Sequence, residues 1–276
     1  VIVLLVLYYC FPKKYRWYVL LAGSMAYYVI ICKWYVLFII FTICTTYGST
    51  IWIDKLLKKQ NAIVKSHKED WDRQTRKEYK EKGRKKRVAV MLFALLCNFG
   101  ILAFLKYIPY AGEIGLLLPL GISFYTFQSM GYVMDVYREI VEPEKNFLKV
   151  ALFVSFFPQI IQGPIAIYDK LAGQLYEGHS LRLENLQKGA LLVLWGVMKK
   201  LVIADRAVNI INFVMDKPMD FSGTYVFFAA VVYALQLYAD FSGGIDIVRG
   251  IAEMFGITMS TNFNHPYFSR SLTEYW

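Results

Sequence analysis

An all-α, polytopic transmembrane helix bundle is the fold class this sequence predicts, and three observations carry the prediction. Apolar residues make up 57% of the 276 positions and aromatics 17%, whereas soluble domains usually hold about 45–50% apolar residues. Apolar runs of near-bilayer length recur along the chain, and inside a bilayer the backbone must satisfy itself, which restricts spanning segments to helices or closed barrels. Several of these runs are interrupted by proline, glycine or charge, which implies broken or re-entrant helices around a central cavity, since irregular backbone at membrane depth survives only inside protein.

Residues 1–11 read as the tail of a span, and the basic turn Pro12-Lys13-Lys14-Tyr15-Arg16 separates it from the run at 17–31. Cys32-Lys33 is the only break before the run at 34–53, so these two spans are expected to form a helical hairpin. Trp17, Tyr18, Trp34, Tyr35 and Trp52 fall near span ends, where an interfacial aromatic belt places them. Residues 54–87 then leave the membrane with 14 Lys or Arg against 6 Asp or Glu, which accounts for most of the net charge of +10. Such a segment is a topology signal, cytoplasmic by the bias of Lys and Arg toward that side, and it suits anionic head groups. Leu57, Val64 and Trp71 recur every seventh position, a narrow apolar stripe on an amphipathic arm that either rests on the membrane or stands in solvent.

The chain returns to the membrane at 88–105 and again at 116–132, where Pro119-Leu120-Gly121 predicts an irregular start. Ser123, Thr126, Gln128 and Ser129 give that span a face unsuited to lipid. After the charged turn at 135–145, the apolar run at 147–167 contains Phe157-Pro158-Gln159 and Gln162-Gly163-Pro164, which oppose a straight helix. A polar connector at 168–184 leads to the run at 186–203, which ends in Lys199-Lys200 and is followed by Asp205-Arg206. The span at 221–239 feeds the stretch around which the chain is organised, residues 233–276. No period of 20–50 residues repeats, and the whole chain is expected to form a single membrane-embedded core.

In that last stretch an apolar run carries Asp240, Asp246, Arg249 and Glu253. Ionisable groups at membrane depth cost about 2.5–3.5 kcal/mol each on insertion scales, so they mark a cavity or a site. Arg249 and Glu253 also fit a plain i,i+4 ion pair. Gly243-Gly244 reads as a helix break or a close-packing site, with Gly250 seven residues on. Ser271-Leu272-Thr273-Glu274 has the pattern of a capping box that starts a new helix. Of the three histidines, His67 lies in the charged arm, His179 in the polar connector as a solvated loop residue, and His265 near the polar terminal segment. Cys10, Cys32, Cys44 and Cys97 stand singly as small core fillers. No phosphate-cradling glycine loop and no metal-ligand spacing occurs, so neither a metal nor a permanently bound cofactor is expected. The basic arm lacks any binding fold for nucleic acid.

The segments Leu235-Gln236-Leu237-Tyr238-Ala239-Asp240-Phe241-Ser242-Gly243, Asn262-Phe263-Asn264-His265-Pro266-Tyr267 and Ser271-Leu272-Thr273-Glu274-Tyr275-Trp276 resemble the membrane-bound O-acyltransferase family, in its bacterial alginate O-acetylation and teichoic acid D-alanylation branch. The runs at 119–138 and 157–164 and the Lys199-Lys200…Ala204-Asp205-Arg206 ending are similar to that branch too, so the resemblance covers roughly residues 118–276. It implies acyl transfer from a cytoplasmic thioester, acetyl-CoA first, to hydroxyls of an extracytoplasmic polysaccharide, in a bacterial inner membrane and with an export-side partner acyltransferase. D-alanyl transfer to teichoic acid is the alternative within the family. The catalytic histidine it implies follows Trp276 within a few residues, so the chain is expected to be an internal piece of the enzyme, truncated at both ends and inactive alone. The cavity and substrate-path candidates are Gln128, Gln162, Pro164, Asp240, Ser242, Asn262, Asn264, Tyr267, Arg270, Glu274 and Trp276. A secondary transporter would use the same broken helices and buried charges to bind an ion, but no inverted repeat is visible; a non-catalytic membrane scaffold is the third reading.

Overall fold

The structure, a computed structural model, describes residues 1–67, 71–107, 118–263 and 266–275. Among these residues the regular structure is helical throughout, with no strand. The chain divides into two compact units: Val1–Lys13, Ile161–Pro164 and His179–Trp276 form one, Lys14–Ile160 and Ile165–Gly178 the other.

The second unit holds α2 (Arg16–Cys32), α3 (Val36–Ser66), α4 (Arg73–Tyr107), α5 (Ile122–Tyr137), α6 (Phe147–Ser155), most of α7 (Phe157–Gln162) and α8 (Tyr168–Tyr176). Lys33, with φ 49°, breaks α2 from α3. The expected hairpin is loose: α2 and α3 touch little, and both pack against α6 instead. The run Lys13–Ser66, which takes in α2 and α3, and the helix α4 each carry an apolar window that can span a bilayer, and 28% of each window is buried. The remaining apolar side chains point outward, as a lipid-embedded helix requires.

The basic arm is thereby corrected. It is not one amphipathic helix but the far ends of α3 and α4, which extend beyond the apolar windows as an antiparallel pair, so Leu57 and Val64 lie on α3 while Trp71 lies between the helices. Trp71 packs on His67 and Tyr79. The pair is closed by Gln60, which is 6% exposed. Its Nε2 donates to the Lys80 carbonyl at 3.1 Å, and its Oε1 accepts from Arg87. Gly83 makes room for it, because a Cβ there would collide with the Gln60 amide. Asp72 caps α4 by accepting from the Thr75 N–H at 3.0 Å, and hydrogen bonds from Thr75 hold its carboxyl below the ordinary value.

The core of this unit is aromatic: Tyr28, Tyr125, Tyr132, Phe153 and Phe156 are essentially inaccessible. Tyr132 stacks on Tyr168 at 4.0 Å, and Phe153 meets both edge-on. The predicted irregular start of α5 is present. Gly121 caps it with φ +70°, and a Cβ there would strike Ile160. The break in the run at 147–167 is present too: α6 stops at Ser155, Phe156 turns to ψ 108°, and α7 restarts with Pro158 in its first turn, where no N–H is needed.

The first unit contains α1 (Ile2–Cys10), α9 (Leu183–Val197), a π-helical turn (Met198–Ala204), α10 (Asp205–Met215), α11 (Gly223–Met254) and the short α12 (Leu272–Tyr275). Its spine is α11, whose 32 residues cover about 48 Å at 1.5 Å per residue. Gly243-Gly244 does not break it; the glycines are packing sites. A Cβ on Gly189 would lie 2.6 Å from the Gly250 carbonyl oxygen, and one on Gly196 2.5 Å from that of Gly243. The two pairs recur seven residues apart on each helix, so α9 and α11 touch backbone to backbone along one seam. Tyr9 of α1 donates to the Met254 carbonyl at 2.8 Å, and Tyr8 packs edge-on against Phe255. His179 is not a solvated loop residue: its N–H donates to the Tyr8 hydroxyl, and its ring leaves room only for glycine at Gly256, which has φ +81°. Of the four cysteines only Cys32 is buried; Cys10 and Cys44 face outward, and Cys97 is half-buried.

Candidate functional site

The two aspartates of α11 find their partners on the π-helical turn. Lys199 Nζ lies 2.6 Å from Asp246 Oδ2, with the two side chains 15% and 12% exposed. Arg249 Nη1 approaches the other oxygen of Asp246 at 3.4 Å, and Lys200 pairs with Asp240 nearer the surface of the unit. A regular α-helix turns about 100° per residue, so two adjacent lysines would diverge. Here both reach α11 from the π turn, a kind of segment that is frequent at functional sites. Arg249 therefore pairs with Asp246 rather than with Glu253, whose carboxylate accepts from Thr258. Removing two charges from water is costly, and a 2.6 Å charge-assisted hydrogen bond recovers that cost only when the geometry is held. The glycine seam holds it, because Gly243 and Gly250 bracket Asp246.

Several sequence candidates gather here. Ser242 is 4% exposed and its hydroxyl has no partner among the described residues; it sits one helical turn before Asp246 and seven residues before Arg249, on the same face. Gln162 packs its amide against Gly244, where a Cβ would collide with it. Pro164 is buried in the same unit. Gln128 belongs to the other unit and is 3% exposed. Its Nε2 donates to the Phe153 carbonyl at 2.9 Å, while Ser24 accepts from the Phe157 N–H at 3.2 Å. The two side chains satisfy the backbone on either side of the break in the run, the role that irregular structure at membrane depth demands.

Asn262, Tyr267, Arg270 and Glu274 are exposed, so among the described residues they form no enclosed cavity wall. Tyr267 donates to the Ala234 carbonyl at 2.8 Å and packs its ring on Tyr238, beside Phe263. The capping box exists: the Glu274 N–H donates to Ser271 Oγ at 3.1 Å, and the Glu274 carboxylate accepts from the Arg270 N–H at 2.7 Å. Asn264, His265 and Trp276 lie outside the described residues. No group of three or more His, Cys, Asp or Glu suited to a metal occurs among the described residues.

Sequence reasoning named Asp246 and Arg249 as costly charges and Lys199-Lys200 as an interruption, but it left all four out of the site. The available signal was two cations and two acids on successive spans of one apolar region, each needing a partner.

No family model matches the chain. Among curated proteins, the peptidoglycan O-acetyltransferase of Helicobacter pylori is 31% identical over 224 residues, or 67% of this chain and 42% of that protein. The probable alginate O-acetylase of Pseudomonas aeruginosa is 36% identical over 163 residues, covering 58% of this chain and 31% of that protein. The chain is a homologue of the bacterial membrane-bound O-acyltransferases. A more distant member, the teichoic acid D-alanyltransferase of Bacillus subtilis, is 25% identical over 163 residues, 57% of this chain and 40% of that protein. The chain thus spans less than half the length of these relatives. The paired charges of α11 and the π turn are the ion pairs of the first unit, partly withdrawn from solvent.

Proposed function

We propose that the protein is a membrane O-acyltransferase that moves an acyl group from a cytoplasmic thioester to hydroxyls of a cell-envelope polymer, with acetyl-CoA as the donor. The observation that carries this reading is kinship with three enzymes named for different polymers but a common O-acylation chemistry. In that reaction the hydroxyl oxygen attacks the thioester carbonyl, a C–O bond forms as the C–S bond breaks, and the hydroxyl proton passes through a base to the departing thiolate. The base is the histidine that the family resemblance puts after Trp276, on the helix that Ser271 begins. Lys199, Lys200, Asp240, Asp246 and Arg249 are positioning residues: paired with one another, they lock the π turn to α11. The enzyme works in the bacterial cytoplasmic membrane with the ends of α3 and α4 on the cytoplasmic side, and an export-side acyltransferase completes delivery to the polymer.

The test uses the full-length gene product in membranes, supplied with radiolabelled acetyl-CoA or with a D-alanyl carrier-protein thioester, and measures alkali-labile label on the polymer. Acetyl label that disappears when the first histidine after Trp276 is changed to alanine is the expected result. Label from the D-alanyl thioester alone reassigns the donor. Transfer from neither, or transfer indifferent to the histidine, overturns the reading.

A further inference from the structure

One face of the α3/α4 pair changes from apolar to basic along its length. On α3, Trp52, Leu56, Lys59 and Ile63 follow one another at intervals of four, three and four residues; on α4, Tyr79, Lys82, Lys86, Ala89 and Phe93 do so at three, four, three and four. Each set is therefore a single helical stripe. The stripes line two adjoining cavities. The first, of about 630 Å³, contains Lys59, Lys82, Lys85 and Lys86 and no acidic residue. The second, of about 440 Å³, is walled by Trp52, Ala89, Val90 and Phe93, and the two share Leu56 and Lys86. Trp52 and Phe93 are 57% and 64% exposed, within or beside the apolar windows that suit a bilayer. From Trp52 to Ile63 the groove runs about 16 Å at 1.5 Å per residue.

Other lysines of the chain, Lys58, Lys149, Lys188, Lys199 and Lys200, have carboxylate partners. Among the described residues these four have none, as is true of Lys77 and Lys80 on the opposite face, but only these four share a cavity lined by no acidic residue. Four clustered ammonium groups repel one another unless an anion lies between them. An anion there continues directly into an apolar groove, so the complementary molecule has a charged head and a hydrocarbon tail. We infer that this face binds an anionic phospholipid, its phosphate among Lys59, Lys82, Lys85 and Lys86 and an acyl chain along Trp52, Val90 and Phe93. The opposite face of the same pair is different: its cavity, of about 480 Å³, mixes Lys77, Lys80 and Arg84 with Glu81 and Glu139, and the cavity of about 320 Å³ that adjoins it through Leu57, Asn61 and Glu139 sets Asp54 and Glu142 among Ile53, Val136 and Ile140.

That contrast supplies the control. Full-length protein purified in a zwitterionic detergent is titrated with dioleoylphosphatidylglycerol or dioleoylphosphatidylcholine, and bound lipid is counted by native mass spectrometry alongside the thermal midpoint. The expected result is at least tenfold tighter binding of the phosphatidylglycerol. Changing Lys59, Lys82, Lys85 and Lys86 together to Gln removes this preference, changing all four to Arg keeps it, and the opposite-face set Lys77→Gln, Lys80→Gln and Arg84→Gln leaves it in place. Phe93→Ser weakens phosphatidylglycerol binding without altering the affinity for inorganic pyrophosphate. Equal binding of the two lipids, equal loss from both lysine-face variants, or indifference to Phe93→Ser overturns the inference. Because lipid binding is read directly, the result is independent of the acyl-transfer assay.

Discussion

The glycine seam makes a quantitative prediction. In Gly250→Ala the new Cβ would stand 2.6 Å from the Gly189 carbonyl oxygen and 2.8 Å from Val193, whereas ordinary contact begins at 3.4 Å. Both obstacles include backbone, so α9 and α11 must separate by about 0.8 Å, an overpacking strain of about 1–3 kcal/mol. Gly196→Ala forces a similar separation at the other glycine pair, where the Cβ would meet the Gly243 oxygen at 2.5 Å. The two sites are seven residues apart, roughly 10 Å along the axis, a distance at which mutational effects usually add within about 0.5 kcal/mol. Here they should not add, because one rigid displacement relieves both. The double variant is expected to fall short of the summed single effects by at least about 1 kcal/mol. Reversible unfolding of the full-length protein in mixed micelles, followed by tryptophan fluorescence, measures all three variants. Additive effects, or a Gly250→Ala variant indistinguishable from the parent, would refute the claim that the two helices meet backbone to backbone.

Three further outcomes follow from the packing. Asp246→Asn leaves Lys199 and Arg249 without their shared carboxylate and is expected to cost about 3–5 kcal/mol by the same unfolding assay, while the apolar triple variant Lys199→Met, Asp246→Leu and Arg249→Met recovers most of that stability but not acyl transfer. Gly121→Ala places a side chain at φ +70° against Ile160 and should destabilise the start of α5 by about 1–3 kcal/mol, visible as faster amide exchange in α5 and α7. Gln60→Leu removes the acceptor for the buried Arg87 and the donor to Lys80, and should cost about 1–3 kcal/mol and open the α3/α4 ends to protease, while leaving the apolar parts of both helices protected.

The helical class, the irregular entry at Pro119-Leu120-Gly121 and the break at Phe157-Pro158 were legible because proline, glycine and long apolar runs act locally. The arm was misread for the opposite reason. A heptad of Leu57, Val64 and Trp71 looks like one helix, yet α3 ends at Ser66 and α4 begins at Arg73, and what closes the pair is a tertiary fit between Gln60 and Gly83 that no local pattern announces. The site divides in the same way. Asp240 stood out because a carboxylate in an apolar run needs an explanation, but its partner Lys200 lies 40 residues away on a turn whose π geometry has no clear sequence signature. Gln128 looked like a path residue because it belongs to a polar face unsuited to lipid; its amide bonds to the carbonyl of Phe153.

The π-helical turn also constrains the chain in length rather than in composition. Its seven residues, Met198–Ala204, keep Gly196 on the seam while delivering two neighbouring lysines to the same helix. Deleting any one of them would close the wide turn toward α geometry, in which Lys199 and Lys200 stand about 100° apart. The pairing of Lys199 with Asp246 and of Lys200 with Asp240 would have to shift. Point substitutions at the outward residues Leu201 and Val202 leave this pairing untouched. Gene variants should therefore tolerate changes of residue here far better than changes of count.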